Sequence, residues 1–188
     1  MSQITKRYAA QEYVASSPDA EILGAVLLSF VQNVKADELM PFLKKYGLDE
    51  MDPNKWYPQQ LILDFYKGMA DNTINMSENM VAIGIKSVET VPQNPDAKTL
   101  EQAILTSNAT NKVILRNVPE DEGFAIAESR PGYLLVIDNT PYPADAMYGY
   151  FWGLARRYKT PGGGFRVVRV DNPKPDQFPG RAFEITWN

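Results

Sequence analysis

Two periods divide the chain. In the first part apolar side chains recur every three to four positions, the helical period; beyond Glu122 they alternate at every second position, the strand period. Pro18 and Asp19 open a first helix. Its apolar residues Ile22, Leu23, Val26, Leu27, Phe30, Val31 and Val34 cover more than one face, as in a helix central to a core. A second helix is expected from Asp37 to Tyr46, with Pro41 near its first turn or at a kink. Gly47-Leu48 follows as a left-handed C-cap with its hydrophobic contact. Asp52-Pro53 and Tyr57-Pro58 read as helix starts, Asp52 as a cap. The double stripe Leu61, Ile62, Phe65, Tyr66 and Met69 marks a third helix. Ser77 is placed to cap a fourth, with Met76 and Val81 as a hydrophobic staple, and Thr99 and Gln102 have capping-box spacing for a fifth. Residues 107–118, around Val113-Ile114-Leu115, fit either the end of that helix or a strand.

The second part predicts strands over Phe124–Ser129 and Tyr133–Asp138, joined by the turn Arg130-Pro131-Gly132. Pro143 starts a sixth helix through Tyr158, and Pro161 with Gly162 to Gly164 stops it. Phe165–Val170 and Arg181–Trp187 are two more strands around the Pro-rich hairpin loop Asn172–Gly180; Phe183, Ile185 and Trp187 share one face of the last. The class is α+β: a helical half, 18–118, then a ββαββ half, 119–188, with a four-stranded, mostly antiparallel sheet. Residues 18–188 form one domain, and Met1 to Ser17, weakly periodic, reads as an arm.

Composition narrows the chemistry. The 188 residues include no cysteine and no histidine. That excludes disulfides, thiolate metal sites, a histidine base, a Ser-His-Asp triad, and histidine-ligated zinc or haem. The formal net charge of -4 argues against non-specific nucleic-acid binding. Residues 1–142 carry 12 Lys+Arg against 19 Asp+Glu, and residues 143–188 carry 7 against 4, so the tail is locally positive and suits either an anionic ligand or a solvated sheet face. Met1 to Ala15 has no apolar signal core, and Ile22 to Val31 is too short to span a membrane, so a cytoplasmic protein is expected. The glycosylation patterns at Asn75 and Asn108 then have no relevance.

Most candidate motifs have a plainer reading. Pro161-Gly162-Gly163-Gly164 precedes a strand and lacks the Lys-Ser/Thr of a phosphate loop, so it reads as a turn. Asp49, Glu50 and Asp52 lack the glycine and final glutamate of a calcium loop. Glu120, Asp121 and Glu122 suggest a solvated turn before a weak ion site. Glu128 and Asp138 could face each other across a hairpin as a carboxylate pair. The richest stretch is Asn139-Thr140-Pro141-Tyr142-Pro143 followed by Tyr148 to Gly153, where aromatics far exceed the 11% of the whole chain. On its helix Met147, Phe151, Leu154 and Tyr158 share one face, with Tyr148, Trp152 and Ala155 on the next. Gly149 and Gly153 stand one turn apart, each costing about 1 kcal/mol relative to alanine, which implies close approach by backbone or ligand. Either this helix is pressed onto the sheet, or Tyr148, Trp152 and Arg156 stand at a pocket mouth, the rings stacking on a flat ligand and the guanidinium holding an anionic group. Trp56-Tyr57 either plugs a corner or closes the pocket from the helical side.

The tail resembles the four-vinyl-reductase-type small-molecule-binding domains and the related haem-nitric-oxide-binding domains. The residues that carry the resemblance are Thr140-Pro141-Tyr142-Pro143, the helix from Tyr148 to Leu154, and the closing strand ending Phe183-Glu184-Ile185-Thr186-Trp187; Gly47-Leu48 and Trp56-Tyr57-Pro58 are similar to the helical half. The resemblance covers most of residues 20–187 and implies an α+β sensor that often dimerises, with a pocket between helices and sheet. The histidine of the haem-binding relatives and the Cys/His zinc ligands of several others are absent here, so neither group is implied. The leading expectation is a soluble, metal-free ligand-binding or sensory domain without cofactor, acting as a homodimer. Its site would be formed by Trp56, Tyr57, Tyr142, Tyr148, Trp152 and Arg156, with Gly149 and Gly153 as close-packing positions. Its partner would be a small apolar or aromatic molecule, anionic or neutral, with neither nucleic acid nor membrane. The alternatives are a homodimerising structural or interaction module, and an enzyme using carboxylate or tyrosine acid-base groups.

Overall fold

A computed structural model describes residues 7–26, 36–72, 76–90, 94–159 and 162–188. Leu27, Phe30, Val31 and Val34 of the expected first helix, Met1 to Lys6 of the arm, Asn75 and Pro161 lie outside the described residues. The helices are α1 (Ala36–Lys45), α2 (Gln59–Asn72), α3 (Met76–Thr90), α4 (Leu100–Ile114) and α5 (Ala144–Tyr158), and a further helix begins at 24–26. The strands are β1 (Glu21–Leu23), β2 (Trp56–Pro58), β3 (Leu115–Arg116), β4 (Gly123–Arg130), β5 (Tyr133–Asn139), β6 (Phe165–Val170) and β7 (Arg181–Trp187). None of the described helices is long and apolar enough to cross a membrane.

The α+β class and the ββαββ order of the second half hold. The large sheet runs β4-β5-β7-β6, antiparallel throughout. Arg130 pairs with Tyr133 around Pro131-Gly132, and Gly132 takes the positive φ of +73° that a Pro-Gly turn needs. Leu134, Val136, Phe183, Ile185 and Val167 form the inner face, packed on Met147, Phe151 and Leu154 of α5 and on Leu100 and Ile104 of α4. The loop between β6 and β7 folds Phe178 over Leu135, Ile137 and Ala182 on the other face, which explains why β5 is buried on both sides. Asn108 of α4 docks on the free edge of β4. Its Nδ2 donates to the Phe124 carbonyl at 2.6 Å, and its Oδ1 accepts from the Phe124 N–H at 2.8 Å.

Several local expectations need correction. Glu21–Leu23 is a strand, not the first turn of a helix, and it is central to a small antiparallel sheet of order β2-β1-β3. A three-residue apolar run has no period of its own; its non-local partners Trp56, Tyr57 and Leu115 decide its state. Trp56-Tyr57-Pro58 is therefore strand as well, and α2 starts one residue later. Asp52 caps no helix: its Oδ1 accepts from Asn54 N and its N–H donates to the Tyr57 hydroxyl, closing a turn. Ser77 lies inside the first turn of α3. Glu128 and Asp138 do not face each other, because Asp138 pairs with Phe124 and a bulge lies between Ile126 and Glu128. Residues 107–118 divide into helix to Ile114 and strand from Leu115.

Two caps match their sequence signals. Leu48 N–H donates to Leu43 O and Gly47 N–H to Lys44 O, with Gly47 at φ +66°, a Schellman arrangement. The Thr99 hydroxyl accepts from Gln102 N, while the Gln102 side chain accepts from Lys98 N, one residue earlier than in a standard capping box.

Candidate functional site

Helix α5 follows Pro143, whose φ of -56° already suits a helix. It crosses α3 at glycine. A Cβ on Gly149 would overlap the Val81 carbonyl, and one on Gly84 would overlap the Ala146 carbonyl. Gly153 faces the Val88 side chain, where a Cβ would sit 3.1 Å from Cγ2. At Gly149 and Gly84 helix backbone meets helix backbone, whereas at Gly153 the nearest neighbour is a side chain.

Beside this crossing lies a cavity of about 120 Å³ bounded by α3, α4, α5 and the start of β4. Ile83, Ala146, Met147, Phe124, Tyr66 and Tyr142 supply its apolar walls. Ser87, Thr106, Ser107, Thr110 and Tyr150 add hydroxyls, and no charged side chain is present among its described lining residues. Tyr150 and Ser107 join their hydroxyls at 2.7 Å across α5 and α4. Burial raises the hydroxyl pKa values of Tyr66, Tyr142 and Tyr150, so all three stay protonated in the neutral range.

The expected site residues divide. Tyr142 lines the cavity. Trp56 lies on the small sheet under the Arg116 guanidinium, 4.5 Å from its ring centre, and Tyr57 holds the Asp52 turn. Trp152 packs on Phe165, with ring centres 5.1 Å apart. Arg156 is exposed and bonds Glu89 at the end of α3 at 2.6 Å, with the Trp152 ring beside it. Tyr148 packs half-buried against the sheet core. The hydroxyl set on α4 was missed, although Thr106, Ser107 and Thr110 interrupt an apolar stripe at i, i+1, i+4, a legible sign of a polar strip facing inward.

A polar strap adjoins this region. Residues 7–17 run across both halves, held by side-chain amides and carboxylates that stand in for strand partners. Asn139 brackets Ala10 N and Tyr8 O, Gln60 brackets Ala15 N and Tyr13 O, Asp121 accepts from Tyr8 N, and Glu12 accepts from Ala144 N. The acidic turn 120–122 therefore anchors the strap. Beneath it Asp138 is fully buried. Arg181 donates to it at 2.5 Å, and Thr140 donates twice, from N–H at 3.0 Å and from Oγ1 at 2.7 Å. Burial pushes the Asp138 carboxyl up, while Arg181 and Thr140 pull it back.

Glu122 accepts from Gln59 at one oxygen, its other oxygen is buried with no close hydrogen-bond partner among the described residues, and burial raises its pKa above the ordinary glutamate value against the opposing pull of Ser16 and Gln59. The sign follows. A raised folded-state pKa means that ionisation opposes folding, so this contribution is lost as pH rises from the unfolded value through the folded one. Glu122→Gln, which keeps the shape and does not titrate, is expected to gain about 1 kcal/mol over the parent at pH 7. The gain should vanish near pH 4; urea melts at both pH values measure it, and an equal difference at both would refute it.

The fold can be matched to solved structures. A variant of Tt H-NOX aligns with a TM-score of 0.62 at 13% identity, over 88% of this chain and 92% of that one. An oxygen-binding H-NOX domain related to soluble guanylate cyclases, in its oxygen complex, aligns with a TM-score of 0.61 at 14% identity, over 88% and 92%. An Fe(II) unliganded H-NOX variant from K. algicida aligns with a TM-score of 0.60 at 13% identity, over 89% and 97%. The fold is H-NOX-like. No protein-family model matches the chain, and no curated protein does.

A further solved structure of this fold, on modulating haem redox potential through porphyrin distortion, aligns with a TM-score of 0.60 at 14% identity, and the residues here do not fit haem. The whole chain lacks histidine. Among the cavity tyrosines, Tyr150 is already engaged by Ser107 at 2.7 Å. No Lys or Arg is present among the described lining residues to pair with propionates. The 120 Å³ volume is below the roughly 150 Å³ of a cavity that holds benzene, far short of a porphyrin.

Proposed function

We propose that this chain is a soluble small-molecule-binding sensory domain that uses the H-NOX fold without haem and takes its ligand directly between α3, α4, α5 and the sheet. The observation that supports this most is the cavity itself. It is mostly apolar, opens to the surface beside Asn94, and sits between the helices and the start of β4, on a chain with no histidine. Its partner is a compact molecule, and the neutral lining favours an uncharged one over the anionic alternative.

Two measurements test the reading. Native mass spectrometry of gently purified protein reports any retained ligand, and an amide NMR titration with benzene locates the site. Perturbations centred on Ser107, Met147 and Tyr150 are expected. The reading falls if benzene leaves those amides unmoved, or if added hemin gives a one-to-one complex with a sharp Soret band.

A further inference from the structure

The large sheet treats its two edges differently. Along β4 the Asn108 side chain occupies both polar groups of Phe124, and a bulge breaks the register. Along β6 neither device is present among the described residues. Phe165–Val170 runs in unbroken register against β7 and ends the sheet. Trp187 N–H donates to Gly132 O on β5's side, and Asn188 N–H donates to Gly164 O on the side of β6. Bonded and non-bonded pairs alternate along an antiparallel ladder. Thr186, Glu184 and Ala182 therefore turn their backbone groups to Arg166, Val168 and Val170, and the N–H and C=O groups of Phe165, Val167 and Arg169 point away from the sheet. No described residue bonds these outward groups.

The side chains alternate in step. Val167 faces the core, Phe165 packs on Trp152 of α5, and Arg169 bonds Asp145 of the same helix. Trp152 and Tyr148, which share that helix face with Asp145, are only half-buried. Arg166, Val168 and Val170 lie on the outer face. Arg166 is exposed and has no ion-pair partner among the described residues. Glu184, diagonal to it on β7, accepts from the Tyr133 hydroxyl at 3.0 Å. The strand holds two arginines and no carboxylate, within a tail, 143–188, that carries 7 Lys+Arg against 4 Asp+Glu.

We propose that β6 is a docking edge for an extended, acidic segment of another protein, added to the four-stranded sheet as one more strand. The backbone of that segment bonds Phe165, Val167 and Arg169. A carboxylate opposite Arg166 meets the unpaired guanidinium on the outer face, and apolar side chains at the alternate positions lie beside Phe165 and Trp152. The same charges reject a second copy of this chain. Paired about Val167, two copies would bring their Arg166 side chains to diagonal positions on one face, roughly 7–8 Å apart, with no carboxylate on either strand between them. An arginine edge thus guards against its own kind and admits a strand of opposite charge. None of these residues lines the cavity, so the edge and the cavity stand or fall separately.

The experiment is a titration of the intact protein with a short synthetic peptide that alternates isoleucine and glutamate, and with its lysine counterpart, read by amide NMR and hydrogen exchange. The glutamate peptide is expected to slow exchange at the Phe165, Val167 and Arg169 amides. The Arg166, Val168 and Val170 amides, already turned to β7, should keep their protection. Affinity for the glutamate peptide should fall as salt is added. Arg166→Glu, an exposed change, should weaken that peptide about 3- to 5-fold, the range of an exposed ion pair, and strengthen the lysine peptide, which also shows that the edge is intact. Equal binding of the two peptides, a preference unchanged in Arg166→Glu, or outward amides left unprotected overturns the proposal. So does the same response to free glutamate, which would mean an anion site without strand pairing. Protection of the three amides that grows with protein concentration alone would name a second copy as the occupant and overturn it as well.

Discussion

Gly149→Ala is expected to lower stability by about 3 kcal/mol, the upper range for overpacking. Alanine gains about 1 kcal/mol of helix propensity over glycine, so the sign depends on what the new methyl group meets. It meets the Val81 carbonyl of α3, a backbone atom that cannot rotate aside, so the two helices must separate. Gly84→Ala meets the Ala146 carbonyl of α5 and should behave alike. Gly153→Ala meets Val88 Cγ2 at 3.1 Å and Cβ at 3.2 Å, a milder overlap than the carbonyl oxygen at Gly149, and is expected to cost less, about 1 kcal/mol. Urea denaturation with an unchanged slope checks all three. Equal, small losses at Gly149 and Gly153 would show that the crossing is looser than described.

Arg181→Leu carries the second large effect, an expected loss of about 3–5 kcal/mol, because it strands a carboxylate that is fully buried. Thr140 alone would remain to solvate Asp138. Without the guanidinium, desolvation raises the Asp138 pKa further, so its ionisation opposes folding and the variant should recover stability as pH falls. Asp138→Asn in the same chain should restore part of the loss, giving a coupling energy in a double-mutant cycle. A loss below about 1 kcal/mol in the single variant, or one independent of pH, would mean that Asp138 does not depend on Arg181.

The sheet half was legible because its signals are local. Alternation, the Pro131-Gly132 turn and the Pro143 helix start each depend on neighbours in sequence, and each matches the structure. The glycine pair Gly149 and Gly153 also declared a close approach through its propensity cost, although which of two partners it meets required the fold. The small sheet was illegible for the opposite reason: Glu21–Leu23 becomes a strand through Trp56 and Leu115, distant in sequence. The aromatic stretch serves two places: Tyr142 and Tyr150 line the cavity, while Trp152 packs outside it. Aromatics mark large burial, and Trp152 meets it against Phe165, whereas the cavity is bounded on one side by small hydroxyl residues of low hydrophobicity.

The docking of Asn108 on Phe124 bears on how the molecule behaves when crowded. The outermost strand of an open sheet offers its amides and carbonyls to any extended peptide, including an identical sheet. On β4 the Asn108 amide already occupies both polar groups of Phe124, a bulge follows, and Lys174 covers the Ala127 carbonyl at 2.9 Å. The opposite edge, β6, carries Arg166 and Arg169. Neither margin is a ready template for stacking copies into filaments. Asn108→Ala would reopen one margin, raising the tendency to self-associate at high concentration.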